Sequence, residues 1–195
     1  MKNFIRILVL IVFGILLVAC DIFFIAKEGR YNPLDPKNEF VEVFPDIDGF
    51  ADDTNWYQDD PLLSARNYTP MSVVYLRFTI DKIPDDFDNI YLRLYKYSSY
   101  PGVTIRIHPV ILDKVPRTYS EAADPSFYDM NASTQHIVDS SEGFEYISLD
   151  PIIKGSKSRI RYGIVIFSDF ESVDFISMEE QVETTWRPRL YISTQ

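Results

Sequence analysis

The sequence predicts an all-β domain built as an antiparallel β-sandwich, on three observations. Apolar residues recur with a period of two in several stretches between Met71 and Ile192, clusters of turn formers separate those stretches, and no stretch beyond residue 45 keeps a helical stripe. Alternation places every second side chain on one face of a strand, and turn residues mark where the chain reverses. The best helical stretch, Tyr119 to Asp129, is interrupted by Pro125, which lacks the N–H that a helix interior needs.

Taken in order, the chain opens with Lys2 and Arg6. Thirteen apolar or small residues follow, Ile7 to Ala19, and the run closes on Leu17-Val18-Ala19-Cys20. A charged start, a short apolar run and small residues before a cut are what translocon entry and peptidase access require. A cysteine at the first position after such a cut is the lipobox of bacterial lipoproteins, and Cys20 is the only cysteine in the chain. Residues 1–19 are therefore expected to be a lipoprotein signal peptide, with Cys20 lipidated and holding the protein to membrane lipid. The competing reading is an uncleaved anchor. Ile22-Phe23-Phe24-Ile25-Ala26 extends the apolar run past Asp21, toward the roughly 20 residues that span a bilayer. Either reading puts the rest of the chain outside the cytoplasm, in the bacterial cell envelope.

Residues 20–44 read as a flexible tether. Tyr31-Asn32-Pro33-Leu34-Asp35-Pro36-Lys37-Asn38 holds two prolines and several turn formers, with no sustained period. Residues 45–195 form the expected sandwich domain. Val74, Leu76, Phe78 and Ile80 alternate with Val73, Tyr75, Arg77 and Thr79. Ile90, Leu92 and Leu94 alternate with Tyr91, Arg93 and Tyr95. Val103, Ile105 and Ile107 alternate with Thr104, Arg106 and His108. Ile160 to Phe167 is apolar on both parities, as a central strand would be, and Leu190 and Ile192 lie opposite in parity to Arg189 and Tyr191. The link Asp81 to Asn89 reads as hairpin-like, pairing the strands on either side of it. Pro116 to Gly143 is the least regular segment and reads as a long decorated loop.

Removing residues 1–19 takes away two basic residues and no acid. The remaining 176 residues carry 17 basic against 29 acidic side chains, a net charge of −12. Such a surface repels nucleic acid and anionic membranes, so no nucleic-acid partner is expected. With Cys20 lipidated no disulfide is available, and the fold must rest on burial, for which 46% hydrophobic residues are an adequate supply. Two histidines and a committed cysteine cannot build a Cys/His metal cluster.

The order of these pieces resembles the DNRLRE domain, a disaggregatase-related family classed with carbohydrate-binding modules. Leu76-Arg77-Phe78-Thr79-Ile80 with Ile83-Pro84 is similar to that family's LRFDLSSIP, and Ile90-Tyr91-Leu92-Arg93-Leu94-Tyr95 to its ATLRLY strand. Tyr162-Gly163-Ile164 resembles NYGLAL. Phe175-Ile176-Ser177-Met178-Glu179 followed by Arg187-Pro188-Arg189-Leu190 resembles FYSSE and RPRLVV. The opening is matched by Asp48-Gly49-Phe50-Ala51-Asp52 with Asn55-Trp56-Tyr57, and Phe144 to Ile153 resembles a later strand and turn. The resemblance covers residues 46 to 194 and implies a jelly-roll sandwich. Between His108 and Phe144 the family's tryptophan-containing segment has no counterpart in this chain.

No catalytic constellation is legible, and the protein is expected not to be an enzyme. His108 and His136 lack a nucleophile motif beside them. The acid doublets Asp52-Asp53, Asp59-Asp60 and Asp85-Asp86 are expected in solvated turns, and the functional alternative for Asp48, Asp52 and Asp53 is a structural calcium, with no other cofactor. Tyr91, Arg93 and Tyr95 share one parity, and the expected hairpin would set Tyr75 and Arg77 beside them as one patch. Flat rings with guanidinium and hydroxyl donors can bind a sugar. Ordinary cross-strand packing, or cover by a loop, accounts for the same pattern. Trp56 and Trp186 lie near loops and are open to either use. The expected function is non-catalytic binding of a polysaccharide or another envelope component. Structural adhesion to an envelope protein, with no sugar ligand, is the alternative.

Overall fold

The computed structural model describes residues 40–153, 156–181 and 183–194. The expected signal segment, Cys20 and the expected tether up to residue 39 lie outside the described residues. Twelve strands follow: β1 (Phe40–Val43), β2 (Pro45–Asp52), β3 (Trp56–Tyr57), β4 (Leu62–Arg66), β5 (Ser72–Phe78), β6 (Asn89–Ser99), β7 (Thr104–Pro109), β8 (Thr134–Ile137), β9 (Gly143–Ser148), β10 (Ile164–Ser168), β11 (Ser172–Ile176) and β12 (Arg189–Ser193). All pairings are antiparallel, in the order β1-β12-β6-β11-β4-β5-β10-β7-β8; β2 adds to β5, β3 to β2 and β9 to β6. The class is all-β, as the alternation predicts.

Curling of this sheet follows from its inner faces. Val74, Leu76 and Phe78 of β5 share one core with Ile90, Leu92 and Leu94 of β6, and with Ile105, Ile107, Ile164, Ile166, Phe175, Leu190 and Ile192. Strands far apart in the order reach the same cluster only if the sheet wraps over itself. Each fully buried Leu, Ile or Phe stabilises the fold by about 1.5–3 kcal/mol over leaving it in water.

A second cluster lies on the opposite face of β5 and β10. Ala51, Val73, Tyr75 and Val165 are covered there by Val110, Ala122 and Phe127 from the segment between β7 and β8. That segment is held down by His108, whose Nδ1 lies 3.1 Å from the carbonyl oxygen of Asp129 and 2.9 Å from that of Ala132. Burial lowers the His108 pKa, so the neutral ring donates from Nδ1. Apolar residues on both parities of Ile164 to Phe167 are thus explained: β10 pairs with β5 and β7 and is covered on both faces.

Three expectations need correction. The link between β5 and β6 does not make a hairpin, because β4 and β11 stand between those strands in the sheet. It contains a 3-10 turn, Ile80–Lys82, and drops Ile83 into the core. It therefore crosses the end of the sandwich instead of reversing locally. The sheet also begins at Phe40, inside the expected tether, since β1 pairs with the C-terminal β12. Four residues held by partners 147 to 153 positions away leave no local signal. Finally, the irregular Pro116 to Gly143 segment contains β8 and a helical turn, Tyr119–Ala122, capped by the Thr118 hydroxyl.

Gly163 joins the layers where β10 starts. Its φ is +100°, and a Cβ there would lie 2.5 Å from the carbonyl oxygen of Leu76 and 3.0 Å from the Tyr75 ring. Gly102 also has positive φ, +76°, but open space around it. Gly163→Ala should therefore cost more than about 2 kcal/mol, and Gly102→Ala only about 1–2 kcal/mol, the left-handed penalty alone. Chemical denaturation checks this, and equal losses would contradict the packing described for Gly163.

Candidate functional site

The outer face of β6 carries the candidate site. In antiparallel pairs, directly opposed residues share a face. Tyr91 opposes Tyr191 on β12 and Ser148 on β9, Arg93 opposes Arg189 and Tyr146, and Tyr95 opposes Phe144. Tyr91, Arg93 and Tyr95 thus lie together on one face, as their parity predicts, while Ile90, Leu92 and Leu94 are fully buried on the other.

Opposed arginines repel unless each is matched, and here both are. Arg189 Nη1 donates to Glu42 at 2.7 Å, and its guanidinium lies 4.6 Å from the Phe44 ring. Arg93 sits 4.4 Å from the Phe144 ring centre and 5.1 Å from that of Tyr191, and its Nη1 donates to the Tyr191 hydroxyl at 3.0 Å. Burial opposes ionisation of Glu42, but hydrogen bonds from Arg189 and Tyr191 outweigh it and lower its pKa. For Tyr191, burial and then the hydrogen bond to Glu42 raise the hydroxyl pKa.

Both guanidinium groups also donate to backbone carbonyls of the segment between β11 and β12. Arg93 Nη2 reaches the carbonyl of Thr185, and Arg189 Nη2 reaches those of Thr184 and Thr185 at 3.1 and 3.0 Å. The 3-10 turn Thr184–Trp186 is thereby strapped across the sheet. The strap lays Trp186 flat on Tyr95, with ring centres 4.3 Å apart and planes 12° apart. Phe144 meets Tyr95 edge-on at 5.0 Å, and the Tyr95 hydroxyl donates to Glu142 at 3.0 Å. Arg93 is only 6% exposed, so it is a positioning residue and not an open donor. What faces solvent is a stepped apolar surface of Tyr95, Trp186, Phe144 and Tyr146, with Glu142 at its rim.

Tyr75 and Arg77 are elsewhere. Tyr75 is fully buried beneath the covering segment, packs edge-on against Trp56 at 6.0 Å, and donates its hydroxyl to the Tyr162 carbonyl at 2.7 Å. Burial pushes its pKa up to about 12. Arg77 donates from Nε and Nη2 to Asp46 Oδ2 at 3.2 and 3.1 Å, on the wall of an open cleft of about 390 Å³ that also holds Arg161 and Tyr162. With β4 and β11 between β5 and β6, these two residues cannot join the β6 face. Cover by a loop is what Tyr75 shows.

The three aspartates do not converge. Asp52 Oδ1 accepts from Thr54 N, Thr54 Oγ1 and Asn55 N at 2.8, 3.0 and 2.8 Å, closing the β2–β3 turn. Asp53 accepts from Met71 N at 3.2 Å. Asp48 points inward, 4% exposed, and accepts from Met178 N at 2.8 Å. Among the described residues, no group of three His, Cys, Asp or Glu is arranged to hold a metal ion. His136 lies 2.7 Å from Glu145. Lys96, fully buried, lies 3.7 Å from Glu145 and donates to the Asp139 carbonyl, so these charges close one edge of the core.

Sequence reasoning missed Phe144, Tyr146, Tyr191 and the strap as parts of this face. Alternation in Phe144-Glu145-Tyr146-Ile147-Ser148 signals the face of β9, but not that β9 lies beside β6.

Asp48 generates a prediction. Burial, reinforced by the nearby Glu179 carboxylate, pushes its carboxyl up to about 7 against the hydrogen bond from Met178. An unfolded Asp ionises near pH ~4, so the folded state binds the extra proton between ~4 and 7. Its contribution is fully present below ~4, is lost as pH rises to 7, and is flat above. Asp48→Asn keeps an acceptor for Met178 without the charge. Relative to wild type it should gain roughly 2–4 kcal/mol between pH 4.5 and 8. Parallel pH profiles in urea denaturation would contradict the burial of this group. No protein-family model and no curated protein sequence matches the chain.

Proposed function

We propose that this is a lipid-anchored, non-catalytic protein of the bacterial envelope that binds a neutral polysaccharide on the stepped aromatic face of β6, β9 and β12. One observation carries the reading: Trp186 is strapped flat onto Tyr95 beside the 39%-exposed Phe144. Sugar rings offer C–H groups on one face and hydroxyls at the rim. Fixed aromatic rings satisfy the first, and Glu142 and strand hydroxyls the second. Fixing the rings in advance lowers the ordering cost of binding. Both histidines are engaged in holding the fold, which supports a non-catalytic role. The net charge of −12 after removal of residues 1–19 favours a neutral polymer over an acidic one. The anchor part rests on Leu17-Val18-Ala19-Cys20, and the jelly-roll and DNRLRE part on the order of the motifs alone.

Affinity electrophoresis through gels containing soluble glucans, mannans or xylans tests the face. A shallow site predicts a Kd of roughly micromolar to millimolar for one of them. Tyr95→Ala with Trp186→Ala should weaken it at least about tenfold, or ~1.4 kcal/mol, with little change in the thermal midpoint. Retention unchanged by this double substitution, or absent with every polysaccharide, would overturn the reading. Palmitate labelling that is lost in Cys20→Ala tests the anchor, and labelling that persists would refute it.

A further inference from the structure

The cleft beside Arg77 lies on β5, apart from the aromatic face, and its volume is about 390 Å³. That size falls within the roughly 300–1,000 Å³ of small-molecule sites. Asp46, Arg77, Thr79, Asp81, Asp113 and Arg161 supply its polar groups. Asp46 is the extra residue of a β-bulge: Pro45 pairs with Phe78 and Ile47 with Arg77, and the register shifts between them. A bulge re-aims a side chain, and this one sets the Asp46 carboxylate against Arg77. Before β10 starts, the Tyr75 hydroxyl holds the Tyr162 carbonyl and Gly163 packs against Leu76. Arg161 lies 4.2 Å from the Tyr162 ring centre and donates to its hydroxyl.

The fold leaves several of these groups unused. Asp46 takes both bonds from Arg77 on Oδ2, so Oδ1 stays open. Thr79 precedes the 3-10 turn Ile80–Lys82 without capping it through its hydroxyl. Among the described residues, neither Asp81 nor Asp113 has an ion-pair partner. Strong donors and acceptors thus surround one open space, on walls that the sheet holds in place.

We propose that this cleft is a second saccharide site, which holds a single neutral sugar unit by its ring hydroxyls. Charge disfavours ionic ligands. Three carboxylates (Asp46, Asp81, Asp113) against two guanidiniums (Arg77, Arg161) leave the cleft at −1, with Arg77 already matched by Asp46. An anion would meet Asp81 and Asp113, and a cation would meet Arg161. A neutral polyol uses both signs at once, because a carboxylate only accepts, a guanidinium only donates and a hydroxyl does either. One hydroxyl of an adjacent pair donates to Asp46 Oδ1 while its neighbour accepts from Arg77. Bonds to charged partners are stronger than neutral ones, and groups fixed beforehand lower the ordering cost. The choice of a sugar among polyols rests on the saccharide-binding reading of the aromatic face, whereas the charge balance stands without it.

The test follows the Nε–H resonances of Arg77 and Arg161 in the isotope-labelled full chain held in detergent micelles. Arg77→Lys and Arg161→Lys assign them. Methyl glycosides of glucose, galactose, mannose and xylose are the probes, with sulfate and methylammonium as ionic comparisons. At least one glycoside should shift both resonances and saturate with a roughly millimolar Kd. Asp46→Asn should raise that Kd at least about fivefold, with backbone amides away from the cleft unchanged. Asp81 and Asp113 are exposed, and replacing both by Asn takes the cleft from −1 to +1, so sulfate should then bind. No shift with any glycoside, or an unchanged Kd in Asp46→Asn, overturns the proposal. Sulfate or methylammonium acting on the unaltered chain at lower concentration than any glycoside also overturns it. Shifts that vanish in Tyr95→Ala with Trp186→Ala overturn it too, since the cleft would then be no separate site. Shifts that persist there, with no polysaccharide retained in gels, uphold the cleft and refute the aromatic face.

Discussion

Everything in this molecule depends on the alternation along β6. Its eleven residues pair with β12 through Asn89–Arg93, with β9 through Tyr91–Lys96 and with β11 near its end. Because β12 and β9 share partners on β6, they must lie on opposite edges, so the strand is central. Its even-numbered residues from Ile90 to Leu94 enter the core, and the intervening Tyr91, Arg93 and Tyr95 form the outer face. A one-residue slip would turn a guanidinium and two phenols into the apolar core while turning three aliphatic chains to the outer face. Core and candidate site are thus fixed by a single register.

That arrangement explains the unusual use of arginine. Arg93 and Arg189 face each other across β6 and β12, where two cations would normally be a defect. Carbonyl groups of Thr184 and Thr185, the Glu42 carboxylate and the faces of Phe144 and Tyr191 turn the pair into a fastener for the strap. The rings of Tyr95 and Trp186 are then held before any ligand arrives. Replacing either arginine by lysine would lose the fork that reaches several acceptors at once.

How much of this was legible in the sequence varies with how local each feature is. Alternation gave the class and the correct parity for Tyr91, Arg93 and Tyr95, because a strand's faces are set by neighbouring residues. Both-parity burial of β10 was visible for the same reason. The pairing of β1 with β12, the separation of β5 from β6 and the position of β9 beside β6 were not, since they join segments tens to more than a hundred residues apart. Tyr75 shows the consequence. Its parity was legible, but the loop covering it was not, and a ring expected at a surface is fully buried. The burial of Asp48 was not legible either, as nothing in its own segment signals that Met178 will meet it.

Amide hydrogen exchange, read residue by residue, tests the keystone role of β6 most directly. An amide in a strand paired on both edges and packed on one core face opens only with the whole domain. The account predicts that the slowest amides are those of Leu92, with its partners Leu190 and Ile147, and of Leu94, and that edge-strand β8 exchanges much faster. If β6 exchanges as fast as β8 under the same conditions, the register that separates core from binding face is not the one described, and the account fails.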